Sequence, residues 1–381
     1  MSNINNPSVA AITFREAHTG PWNVHGFALT DLVIDVFGAN RLAMHNPANY
    51  SQQVAASKGK AMHLVRRLPG RARLTPGIGE HAGTDVLFVV AHDSTDLDQL
   101  YLTEADWNTP GTLKILVLIE VWANDALRWP KSFERVVSHF DAVFCTLEEG
   151  ISALSSVTGK DVQVMAQAVD VLNAPFRLDP RLDVLTIGRR APQQHELIAQ
   201  WAEHAEGWYH FDTLAANGVE DIDLHRLATG TLLAQSAVSI CNYARFNDTN
   251  RIGSTRGTGT RFFETLASGA LIAGDLPTDD MFTDQFGDVE GVASLPIDCA
   301  GLDESVIAEL VAKGRDPRIR VGNRNHALGS QDLAHRLRQI LSFVDIAEPP
   351  KLTERFRLLD EQRRDLEALI DRRPIKTPVS G

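Results

Sequence analysis

The chain has 381 residues, 44% of them hydrophobic, with a formal net charge of −12. That length exceeds one ordinary domain and suits two of similar size. The acidic balance argues against a general nucleic-acid binder, whose binding domain would be basic.

In chain order, residues 9–14 read as a strand, followed by a loop with Gly20, Pro21 and Gly26 and a helix over 30–37. A strand at 41–45, a helix at 47–57 and a short strand at 62–65 come next. Apolar strands at 85–91, 114–121, 142–145 and 162–165 complete the first half, with helices among them. Continuous apolar strands separated by helices predict a parallel sheet covered on both faces. Pro175 and Pro180 mark 173–180 as a linker, and the pattern then restarts. Strands are expected at 182–188, 207–211, 236–241 and 289–295, with helices at 195–203, 223–228, 305–313 and 333–343. Leu352, Phe356, Leu359, Leu366, Leu369 and Ile370 form an apolar stripe on a charged helix that closes the fold across a domain. The reading is an α/β chain of two Rossmann-like domains facing across a cleft. The first domain spans 1–172, the second 173–345, and a crossing helix with a loose tail 346–381.

The segment 258–275 carries the most chemistry. Glycines precede a short helix that starts near Thr260 and ends at Gly269, and a buried strand follows. Gly259 and Thr260 sit where unpaired backbone N–H groups at a helix start would face a phosphate. Arg261 adds a planar cationic fork. Glu264, one turn on and on the same face, can accept from a ribose diol. A surface ion pair at i,i+3 is the plainer alternative for these two residues. The Gly20–Gly26 loop could approach a diphosphate or be a plain turn. Asp96 with Asp98 and Asp221 with Asp223 read as helix caps rather than metal ligands.

Cys145, Cys241 and Cys299 follow no metal or disulfide spacing, and the first residues lack signal-peptide features. The longest apolar run, near 115–121, is too short to cross a bilayer. A cytoplasmic protein is expected. The basic run over 58–73 (Lys58, Lys60, Arg66, Arg67, Arg71, Arg73) offers either a peripheral contact at the inner membrane face or a solvated surface.

Several segments, in order along nearly the whole chain, resemble a GT-B glycosyltransferase of the retaining, CgeB-like type. They are 85–93 ending in His92 and Asp93, 164–170, 184–190 ending in Gly188, Arg189 and Arg190, 261–269, and 326–336. The resemblance implies a transferase that moves a sugar from a nucleoside-diphosphate sugar to a saccharide or lipid-linked acceptor. It implies no bound metal and no cofactor beyond that donor, because arginines neutralise the diphosphate. Arg189 and Arg261 are the expected stabilisers of the leaving charge, with Gly188, Arg190, Arg256, Gly259, Thr260 and Glu264 around the nucleotide. His92 would touch the donor sugar, and Asp93 would act as general base if the enzyme inverts. Arg256 stands where many retaining members have a glutamate, and Gln193, Gln194 and His195 stand where many have a lysine. The missing charge is expected from Arg190, Arg251 or Arg256. A catalytically silent scaffold and a sugar-nucleotide epimerase are the alternative readings.

Overall fold

The computed structural model describes residues 6–18, 20, 23–45, 73–75, 83–92, 94–212, 219 and 221–371. The expected positions 47–57 and 62–65, the basic run apart from Arg73, and Asp93 lie outside the described residues.

The first sheet contains β1 (Val9–Thr13), β2 (Asn40–His45), β3 (Arg73–Thr75), β4 (Val86–Ala91), β5 (Leu113–Leu118), β6 (Ala142–Cys145) and β7 (Val162–Val164), in the order β3-β2-β1-β4-β5-β6-β7. All neighbours are parallel except β2 and β3. β4 and β5 sit side by side at its centre, with Val89 opposite Leu116. All six residues of β4 are buried, as its unbroken apolar run requires for a strand covered on both faces. The second sheet contains β8 (Leu182–Thr186), β9 (Tyr209–Phe211), β10 (Ser236–Ile240), β11 (Leu271–Gly274) and β12 (Val292–Ser294), in the order β12-β11-β10-β8-β9, all parallel. The expected pair of Rossmann-like lobes is therefore present.

The cleft and its back are framed by α1 (Val24–Phe37), α2 (Ile222–Gln235), α3 (Thr260–Ala267), α4 (Pro317–Ser330), α5 (Leu333–Phe343) and α6 (Pro350–Asp371). One apolar core runs without a break from β4 and β5 of the first lobe, through Leu29 and Val33 of α1, to Phe263 of α3 and Leu337 of α5. α5 lies against the first lobe, where Phe343 meets Phe144 edge-on at 5.4 Å and Gln339 donates to the Val164 carbonyl at 3.0 Å. α6 then crosses both lobes. Its Arg355 donates at 2.7 Å to Asp332 and to Asp170, and its Lys351 reaches Asp35 of α1 at 3.0 Å.

Among the elements that depart from the sequence reading, three bear on the cleft. α1 starts at Val24 and contains Gly26, so Gly26 is not part of an open loop. There a Cβ would press at 3.4 Å on both Ile119 and Val90, and the missing side chain lets α1 lie close to the sheet. α2 runs on to Gln235, through Thr229, Gly230 and Thr231. α4 follows no apolar stripe, because its buried face carries Arg320, Asn323 and Arg324.

Candidate functional site at the cleft

The carboxyl ends of parallel strands gather loops and helix starts at one edge, which is where such folds bind ligands. In the second lobe this edge holds the ends of β8 and β10 and the start of α3. After β8 the chain turns at Gly188, whose φ of +88° suits a residue without a Cβ. The Gly188 N–H donates to the Asp212 carboxylate at 3.0 Å and fixes the turn. Arg189 then projects, exposed, within electrostatic reach of Arg245. Arg190 turns the other way. It lies over the Phe211 ring at 4.8 Å and donates to the Asp212 carbonyl.

α3 begins after Gly259, whose position no side chain caps. Among the described residues the first-turn N–H groups of Thr260 and Arg261 have no hydrogen-bond partner, the state in which a helix start can meet an anion. Arg261 and Glu264 stand together at 2.7 Å, and His25 of α1 meets the other Glu264 oxygen at 3.3 Å from across the cleft. Burial opposes ionisation of Glu264, but Arg261 and the His25 hydrogen bond outweigh it and bring the carboxyl down to about 2. Glu264 is therefore a pure acceptor at neutral pH.

Arg256 is held in place. It forks onto the Asp275 carboxylate at 3.0 and 3.2 Å and stacks on Tyr243 at 4.8 Å. In the segment with the missing lysine, Gln194 is buried and exchanges amide hydrogen bonds with Asn242, joining the helix after Gly188 to the end of β10. His195 packs against Phe211 at 4.8 Å, and burial, then Arg190, lowers its pKa.

The two lobes share this edge. The loop after β10 runs over to the first lobe, where Gly257 sits so close to Leu147 and Trp122 that a Cβ would approach Leu147 at 2.6 Å. The short helix Thr249–Ile252 follows the same path, and Arg251 pairs with Asp125 of the first lobe. Between them lies a cavity of about 370 Å³. His92, Glu120 and Trp129 from the first lobe line it, and Asp248, Asn250 and Arg251 from the second. Alternate residues of a strand face opposite sides. Leu118 at the end of β5 and Glu120 beyond it line this cavity, whereas Val117 and Ile119 line a smaller one together with His25. His92 and the Arg261–Glu264 pair thus flank the end of β5 from opposite faces. The His92 N–H is fixed by the Asp96 carboxylate at 2.7 Å. Asp221 caps α2 by accepting from the Leu224 N–H at 2.9 Å, and Asp223 receives Arg15 at 2.9 Å.

The sequence reading missed His25, Glu120 and Arg245. His25 was placed in a loop, although it belongs to the first turn of α1. Glu120 and Arg245 both have left-handed backbone, φ 53° and 55°. Such backbone leaves no pattern in a single sequence.

The sequence matches no protein-family model and no curated protein. Solved structures do resemble this one. Anabaena HepE in complex with UDP aligns with 88% of this chain and 99% of its own, at 9% identity and a TM-score of 0.50. A glycosyltransferase from Rickettsia africae aligns with 90% of this chain and 98% of its own, at 9% identity and a TM-score of 0.49. The glycotransferase of kitacinnamycin aligns with 90% and 99%, at 10% identity and a TM-score of 0.42. The HepE alignment carries the comparison, and at that identity it speaks for the fold: two facing lobes of the GT-B kind.

Proposed function

We propose that the chain transfers a sugar from a nucleoside-diphosphate sugar to an acceptor, without a bound metal ion. The reading rests above all on Glu264, a committed acceptor, standing beside Arg261 at the uncapped start of α3 and facing the other lobe. A ribose diol donates to Glu264. The diphosphate lies against the backbone of Gly259 and Thr260, with Arg261 and Arg189 as its counter-charges. UDP in HepE makes a uridine donor the first to try.

In the transfer, the bond from the sugar C1 to the acceptor oxygen forms as the bond from C1 to the phosphate oxygen breaks. The electron pair leaves with the diphosphate. Fixed cations and N–H groups aimed at that charge stabilise it without having to reorganise, which is their main catalytic value. Each charge-assisted hydrogen bond contributes about 1.5–3 kcal/mol net. The cavity takes the acceptor, and His92 of its lining is the proposed contact to the donor sugar. Its Trp129 wall and the carboxylates of Glu120 and Asp248 suit a hydroxyl-rich ring such as a saccharide. Asp93, next to His92, remains the proposed base for an inverting reaction.

Purified protein is expected to consume UDP-sugars in the presence of excess chelator, with transfer to a saccharide panel or slow hydrolysis. Glu264→Ala is expected to weaken UDP binding roughly tenfold in a thermal-shift titration, about the value of one charged hydrogen bond. Turnover restored only by magnesium or manganese would overturn the metal-free reading. UDP binding without turnover of any donor would favour a silent scaffold.

A further inference from the structure

Three of the cleft-side arginines are already engaged. Arg190 is stacked on Phe211 and bonded to a carbonyl, Arg251 is paired with Asp125, and Arg256 is forked onto Asp275. Arg245 differs from all of them. It stands in the loop after β10, with left-handed backbone at φ 55°. The residue before it ties that loop to the start of α3. The Ala244 N–H donates to the Gly257 carbonyl at 2.9 Å, and a Cβ on Gly259 would lie 3.6 Å from the Ala244 Cβ. Gly259 is the residue from which α3 starts.

The Arg245 Nε is buried and has no hydrogen-bond partner among the described residues. The carboxylate paired with it, Glu120 of the other lobe, is 3.8 Å away, beyond hydrogen-bond range. Burial first, then Arg251 and Arg189, push the guanidinium below its usual range against the pull of Glu120. A half-buried guanidinium whose Nε lacks an acceptor, with Arg251 and Arg189 in electrostatic reach and its loop tied to the start of α3, can receive an anion of high charge.

We propose that Arg245, acting with Arg189, grips the terminal phosphate of a bound nucleoside diphosphate. This deepens the donor-site reading of α3 and rests on it. Glu120 is the counter-ion that Arg245 keeps until the phosphate replaces it. The strained backbone fits this role, since such conformations persist where the surroundings hold a side chain in a required place.

The test compares nucleoside diphosphates with the matching monophosphates (UDP with UMP, ADP with AMP, GDP with GMP) by calorimetry on the wild type, Arg245→Met and Arg245→Lys. In Arg245→Met the diphosphate affinity is expected to fall about ten- to a hundredfold and the monophosphate affinity by less than about threefold, the loss of one charged contact. Arg245→Lys, which keeps the charge but not the fork, is expected to recover part of the diphosphate preference. Equal weakening of both ligands would mean that Arg245 merely holds the loop, and would overturn the proposal. Unchanged affinities would overturn it too. A wild type that binds none of the three diphosphates would instead bring down the donor-site reading beneath it.

Discussion

Arginines serve this molecule in two opposite ways. Behind the second sheet, Arg320 is 0% exposed and donates to the carbonyls of Arg177, Ser236 and Ala234 at 2.7–2.8 Å. Arg324 donates to Ala267 and Ala174, and Arg336 to Gln167 and Gln285. Burial pushes each of the three down to about 10. Ala234 and Ala267 lie at the ends of α2 and α3, where carbonyls lack partners within the helix and favour a cation. At the cleft, Arg189 is exposed and Arg245 lacks a hydrogen bond at Nε, while Arg261 leans on one glutamate. Arginines bonded to backbone and amide oxygens on several sides hold the fold. Arginines left with donors to spare are free to bind. α3 joins the two kinds, since its rear is fastened by Arg324 and its front is open.

The largest effect should come from the interior set. Arg320→Met would strand several buried carbonyls and is expected to cost roughly 3 kcal/mol of stability or more in denaturant unfolding. The folded fraction should keep the wild-type ratio of diphosphate to monophosphate affinity. A change in that ratio would blur the division. Arg261→Met should do the reverse. Transfer should fall about ten- to a hundredfold, while stability should fall by less than in Arg320→Met, because Glu264 keeps His25 as a partner after Arg261 is gone. The smallest effect concerns pH. The Glu264 carboxyl is lowered in the folded state, so its contribution to stability is present above about pH 4.5 and is lost as pH falls toward 2. Thermal melts of the wild type should therefore fall more steeply across that window than melts of Glu264→Gln. Parallel curves would show that the Arg261–Glu264–His25 group does not contribute to folding.

Where chemistry and periodicity agreed, the sequence was readable. α5 occupies 333–343 as expected, and the glycine-rich approach marked the start of α3 at Thr260. It failed where polar residues do the work of a core. α4 buries Arg320, Asn323 and Arg324, so an apolar count finds no stripe there. In α2, Gly230 looks like a break, yet a Cβ there would come within 3.0 Å of Pro175, so the glycine admits the linker. His25 reaches Glu264, and Glu120 reaches Arg245, from the other lobe, more than a hundred residues away in the chain, and only tertiary packing brings them together. The commitment of Arg256 to Asp275 was equally hidden, because a charge in sequence does not reveal its counter-ion.

The fastening by α6 also bears on how the chain matures. Arg355 is the residue that joins Asp170, in the passage between the lobes, to Asp332 at the start of α5. Each lobe can collapse as it leaves the ribosome, since domains generally fold as units during synthesis. A nascent chain halted before residues 350–371 would keep the shared core and the direct contacts between its lobes but would lack the Arg355 bridge.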